Sequence, residues 1–80
     1  MSVASEIKII RQKAFMTQIE FAKELNVSFS TVNRWESGKT RPNMKAMKQM
    51  NRFCEQNGIP FQPLQNCWLE EKEDFDDDNK

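Results

Sequence analysis

The sequence predicts an all-α protein: a compact bundle of four to five helices followed by an acidic C-terminal tail. Eighty residues leave room for one core, and a chain of this size is only marginally stable. Start signals at Thr17, Ser28 and Asn43, with stop signals at Gly38 and Gly58, cut the chain into helix-sized pieces. Within each piece the apolar residues recur at spacings of three and four, the period of a helix with one buried face.

Helix 1 is expected from Ser5 to Lys13, burying Ile7 and Ile10. Ile9 falls off that face, either exposed in part or set against a fifth helix. Thr17 and Glu20 form a capping box that satisfies two orphan amides at the start of helix 2. Its inward face is Phe21, Ala22 and Leu25, and Ala22 is small where a second helix must approach closely. Asn26 follows in a turn that needs a positive φ, which Asn tolerates better than most residues. Ser28 caps helix 3 (28–36), whose buried side is Val32 and Trp35; Gly38 ends it and Pro42 prevents resumption.

Helix 4 is expected from the N-cap Asn43 to about Gln56, with Gly58 beyond it. Its stripe of Met44, Met47, Met50, Phe53 and Cys54 reads as core packing rather than a cofactor or partner groove. Ile59 to Trp68 holds two prolines and no clear period. Packing back on the core, a short strand and a dimer contact all stay open for it. The plan is therefore a domain over 1–58, an unassigned segment 59–69 and a tail 70–80.

The net charge of zero hides an asymmetry. Residues 1–69 carry ten Lys or Arg against five Glu, or +5; residues 70–80 carry seven acids against two Lys, or −5. A basic surface releases counterions from phosphates, which gives sequence-independent affinity with a steep salt dependence. The tail has the composition of a disordered segment. It either solubilises the chain, competes with DNA for the basic face, or docks a partner through Phe75 and Trp68.

Two cysteines, Cys54 and Cys67, and no histidine leave no metal site, since a thiolate-only zinc site needs more ligands. They read as free thiols in a reducing cytoplasm, although a disulfide in an oxidising compartment would also use both. No apolar run approaches the ~20 residues of a transmembrane helix and no signal-peptide core is present, so a cytoplasmic protein with no membrane partner is expected. Catalysis finds no support: there is no imidazole base and no Gly-rich phosphate loop. No cofactor is expected.

A helix, a three-residue break, a second crossed helix and a glycine stop form the geometry of a helix-turn-helix, whose second helix lies in a DNA major groove. The stretch from Ile7 to Pro42 resembles the phage repressor/Cro type of helix-turn-helix protein, the Xre-like family. Ile7, Lys8, Ile10 and Arg11 match its first helix, and Met16, Thr17 and Gln18 the start of its second. Asn26, Val27 and Ser28 match its turn; Trp35, Glu36 and Gly38 match the end of its recognition helix. The resemblance departs at Phe15, where the family often carries Gly. Phe would strain a positive-φ backbone, so the turn between helices 1 and 2 is expected to differ.

The N-terminal part of a recognition helix faces the base edges, which nominates Phe29, Ser30, Thr31, Asn33 and Arg34. Arg34 suits guanine O6 and N7 through its planar fork, Asn33 suits adenine, and Phe29 a thymine methyl. Phosphate contacts should frame them: Ser28, and Gln18 at the positive start of helix 2. The resemblance adds Gln18's side chain and the loop of Ser37, Lys39, Thr40 and Arg41. It also pairs Arg11 with Glu36, a structural contact that would set helix 1 against helix 3.

These features predict a sequence-specific regulator of transcription that binds double-stranded DNA, a repressor more than an activator, acting as a homodimer. The runner-up is an antitoxin-like or accessory module that holds a protein partner through 59–80.

Overall fold

Five helices and no strand make up residues 2–71, the part of the chain described by the computed structural model: α1 (Val3–Lys13), α2 (Gln18–Leu25), α3 (Phe29–Glu36), α4 (Met44–Asn57) and α5 (Gln62–Glu70). The expected tail beyond Glu71 lies outside the described residues. Glu70 and Glu71 do not belong to it, because Glu70 is the last residue of α5 and Glu71 its C-cap.

Helix starts follow local hydrogen-bond chemistry. Thr17 and Glu20 form the capping box of α2, with the Glu20 amide donating to Thr17 Oγ1 at 3.1 Å and the Thr17 amide to Glu20 Oε1 at 2.9 Å. Ser28 accepts from the Thr31 amide and Asn43 from the Ala46 amide, at 3.1 and 2.9 Å. α1 starts two residues earlier than Ser5, because Ser2 and Ser5 form a second capping box and Val3 is buried.

Helix ends share one device. After α1, α2 and α3 a residue with positive φ turns the chain, and successive amides close back on the last carbonyls. Phe15 (φ 57), Asn26 (φ 59) and Gly38 (φ 79) hold these positions, and Gly58 (φ 67) closes α4. Around Phe15 the two closing bonds are its own amide to Gln12 O at 3.0 Å and the Met16 amide to Arg11 O at 3.2 Å. The turn after α1 therefore keeps the left-handed closure, and the expectation that Phe15 would change it is corrected. Its ring is 94% exposed, so burial offsets none of the ~1–2 kcal/mol that a non-glycine residue spends there.

The core joins α1 to α3 and α5, and α2 to α3 and α4. Phe21 and Phe53 meet edge to face, centroids 5.2 Å apart. In α4, Met47, Met50, Phe53 and Cys54 are buried, joined by Ala46, whereas Met44 is 59% exposed. A three-residue step falls short of a turn by roughly 60° each time, so a stripe that is central at Met50 has left the core by Met44. Ile9 is also exposed.

The unassigned segment becomes α5, which packs on α1. Pro63 sits within its first two positions, where the missing amide costs nothing. Leu64 is fully buried, worth about 2 kcal/mol, and the Glu71 carboxylate accepts from the Val3 amide at 3.1 Å. Glu6 is buried beside this joint, and its Oε2 has no hydrogen-bond partner among the described residues.

Candidate nucleic-acid interface

α3 owes its orientation to Val32 and Trp35, buried against α1 and α2. The opposite side then carries Phe29, Ser30, Asn33 and Arg34 outward, with Thr31 half-buried at the flank. Phe29 is 48% exposed. Ser28 and Thr31 satisfy each other, their hydroxyls 2.9 Å apart. Arg34 is exposed and makes no side-chain hydrogen bond or ion pair among the described residues.

A polar chain runs beneath this face. Arg11 Nε donates to Glu36 Oε2 at 2.7 Å and Nη2 to Glu36 Oε1 at 3.0 Å, while Nη1 reaches the Met16 carbonyl at 2.9 Å. The two side chains are only 14% and 5% exposed. The hydrogen bond to Glu36 raises the Arg11 pKa, desolvation opposes it, and the Glu36 charge adds to the rise, so the guanidinium stays charged. The pair ties the C-terminal turn of α1 to the last residue of α3.

Gln18 extends the chain. Its Nε2 donates to Glu36 Oε1 at 2.9 Å, and its Oε1 accepts from Asn33 Nδ2 at 3.2 Å. Gln18 thereby spends its oxygen and one hydrogen inside the protein, keeping a second side-chain hydrogen and a helix N-terminal amide for phosphate. Asn33 spends one hydrogen and keeps an acceptor and a donor, the pair that adenine N6 and N7 require.

Beyond α3, the Lys39 and Gly38 amides close on the Arg34 and Trp35 carbonyls at 3.0 and 3.2 Å, and Ser37 Oγ donates to Arg34 O at 3.2 Å. Ser37, Lys39 and Thr40 are exposed beside the recognition face. Arg41, expected among the phosphate contacts, is half-buried, with its guanidinium 4.5 Å from the centre of the Trp68 ring. Sequence reasoning missed this contact, because it joins residues far apart in the chain. The available signal was Leu64 and Trp68, four apart after Pro63.

A family model described as helix-turn-helix matches residues 7–56. The HTH-type transcriptional activator BcrR of Enterococcus faecalis is 34% identical over 53 residues, covering 66% of this chain and 26% of that protein. The chain thus spans about a quarter of the length of that relative. No solved structure matches. The match runs from α1 into α4, across the very residues whose capping, positive-φ turn and crossed packing build the pair α2–α3, and the chain belongs to the Xre-like helix-turn-helix family.

Proposed function

We propose that this protein is a sequence-specific regulator of transcription that binds double-stranded DNA by laying α3 in the major groove. The observation that carries the reading is the outward face of α3. Arg34 is uncommitted there, and Asn33 is oriented by Gln18 with an acceptor and a donor to spare. Phe29, Ser30 and Thr31 complete the base-reading set. Gln18, Ser28, Ser37, Lys39, Thr40 and Arg41 serve the phosphates on either side. A basic region of +5 over residues 1–69 supplies the long-range attraction.

The binding form is a homodimer on two half-sites about one helical turn apart, since one module of this size buries little surface on DNA. Occupying a promoter excludes other proteins from it, which supports repression. The relative named as an activator points to the opposite sign for a site placed upstream.

The test is selection from a randomised duplex pool with the full chain at fixed, near-physiological salt. An enriched palindrome supports the regulator and gives the dimer spacing. A lone enriched half-site contradicts the dimer. No enrichment by the folded protein overturns the proposal in favour of an accessory module that holds a protein partner through 59–80.

A further inference from the structure

The polar chain beneath α3 has a direction, set by which groups can donate a hydrogen. Arg11 offers only N–H donors, so its partner must present lone pairs at both contacts. Glu36 does so, with Oε2 accepting from Nε at 2.7 Å and Oε1 from Nη2 at 3.0 Å. A carboxylate held by a guanidinium has no hydrogen to give. Gln18 must therefore turn its Nε2 toward Glu36, and it donates to Oε1 at 2.9 Å. An amide turned that way presents its oxygen on the other side. That oxygen accepts from Asn33 Nδ2 at 3.2 Å, so the Asn33 amide is turned as well. Reversing Gln18 would set two acceptors 2.9 Å apart with no hydrogen between them. Water gives little relief, because the Arg11 and Glu36 side chains are almost wholly shielded from it.

Asn33 is exposed on α3. With one amide hydrogen committed to Gln18, it keeps its oxygen and a second N–H for a base edge. In the major groove adenine presents an acceptor, N7, and a donor at N6, whereas guanine presents two acceptors, N7 and O6. An Asn33 amide turned the other way would offer both hydrogens and suit guanine. We infer that Glu36 is a positioning residue for base specificity: through Gln18 it fixes which way the Asn33 amide is turned, and so selects adenine over guanine at one operator position. The inference rests on the DNA-binding reading above. It adds that the Arg11–Glu36 pair decides a base preference as well as holding α1 to α3.

The experiment measures affinity of the full chain for its selected duplex, with adenine or guanine at one position and salt held fixed. Asn33→Ala locates that position as the one whose preference it erases. Gln18→Lys, Gln18→Leu and Glu36→Gln are compared at a temperature where circular dichroism shows each folded. Wild type should prefer adenine by about 5- to 150-fold, the discrimination of one bidentate pair. Gln18→Lys places a donor-only group between Glu36 and Asn33. The Asn33 oxygen then turns inward, and the preference should reverse to guanine. Gln18→Leu removes the link, and Glu36→Gln gives Gln18 a donor as well as an acceptor to face. Each should bring the adenine-to-guanine ratio toward one. A purely structural role for Glu36 and Gln18 would weaken all duplexes alike and reverse nothing.

A folded Gln18→Lys protein that does not come to prefer guanine would overturn the inference. So would Glu36→Gln with the wild-type ratio intact, or a wild type that prefers guanine at the Asn33 position. Asn33→Ala with every base preference unchanged would overturn it too, because Asn33 would then read no base. The DNA-binding reading survives all of these. Wild-type protein with no affinity for any duplex would take down both.

Discussion

Gln18 and Glu36, the first residue of α2 and the last of α3, are joined by a hydrogen bond of 2.9 Å from Nε2 to Oε1. The same oxygen accepts from Arg11 at 3.0 Å, and Gln18 passes the connection on to Asn33 at 3.2 Å. Four side chains from three helices thus act as one unit. A residue on the proposed base-reading face is oriented by an ion pair that DNA need not touch.

Glu36→Gln should lower stability by about 2–3 kcal/mol. Stranding a fully buried partner costs roughly 3–5 kcal/mol, and Arg11 at 14% exposed recovers part of that from water. Urea unfolding measures it; a loss under about 0.5 kcal/mol would show the pair to be dispensable, as exposed ion pairs are.

Gln18→Ala should cost about 1 kcal/mol of stability, the net worth of its hydrogen bonds. Gln18→Glu should cost more at neutral pH, since it places a second carboxylate where Gln18 meets Glu36 at 2.9 Å. Acid should narrow the gap, because one carboxylate of such a pair takes up a proton as pH falls. Equal stability of the two variants from pH 7 to 4 would mean that the side chain leaves Glu36 in solution.

Arg34→Ala should cost about 1–3 kcal/mol on the selected site and relax preference at one base position. Equal loss on every sequence would reassign Arg34 to phosphate. Lys39→Ala should weaken all sequences alike and flatten the salt slope, and an unchanged slope would place Lys39 outside the interface.

Phe15→Gly should raise the unfolding free energy by about 0.5–1 kcal/mol. It relieves a left-handed residue at φ 57 whose ring touches little, less the extra freedom that Gly gives the unfolded chain. A melting temperature below wild type would show that the exposed ring makes a stabilising contact.

The two thiols should differ in reactivity. Burial pushes the Cys54 thiol from 9.0 up to about 11. Its folded value lies above its unfolded one, so its contribution to stability is whole below pH 9 and is lost as pH rises toward 11. Burial also raises the Cys67 value, with Glu6 and Glu71 adding to it, but Cys67 is only partly buried. At pH 8 a thiol reagent should modify Cys67 first and Cys54 only through unfolding. Equal rates would contradict the burial of Cys54.

The sequence by itself determined the local features. Capping boxes, the Asn26 turn and the glycine stops act between residues three to five apart, so Thr17 with Glu20, Ser28 and Gly38 announced α2 and α3 without reference to anything distant. Apolar spacing did the same for the inward faces, and failed only at Met44, where the period was stretched past its drift. Tertiary structure decided what depends on several elements meeting. Phe15 carries a strained φ because the turn after α1 must close whichever residue occupies it. Gln18 became a linker because α3 delivers Glu36 and Asn33 to it. The segment after Gly58 had no period strong enough to declare a helix, and α5 formed because α1 offered a surface for Leu64 and the loop before α4 offered a carbonyl to Trp68. Those contacts span 26 residues or more along the chain in the case of Trp68 with Pro42, a separation at which spacing rules carry no information.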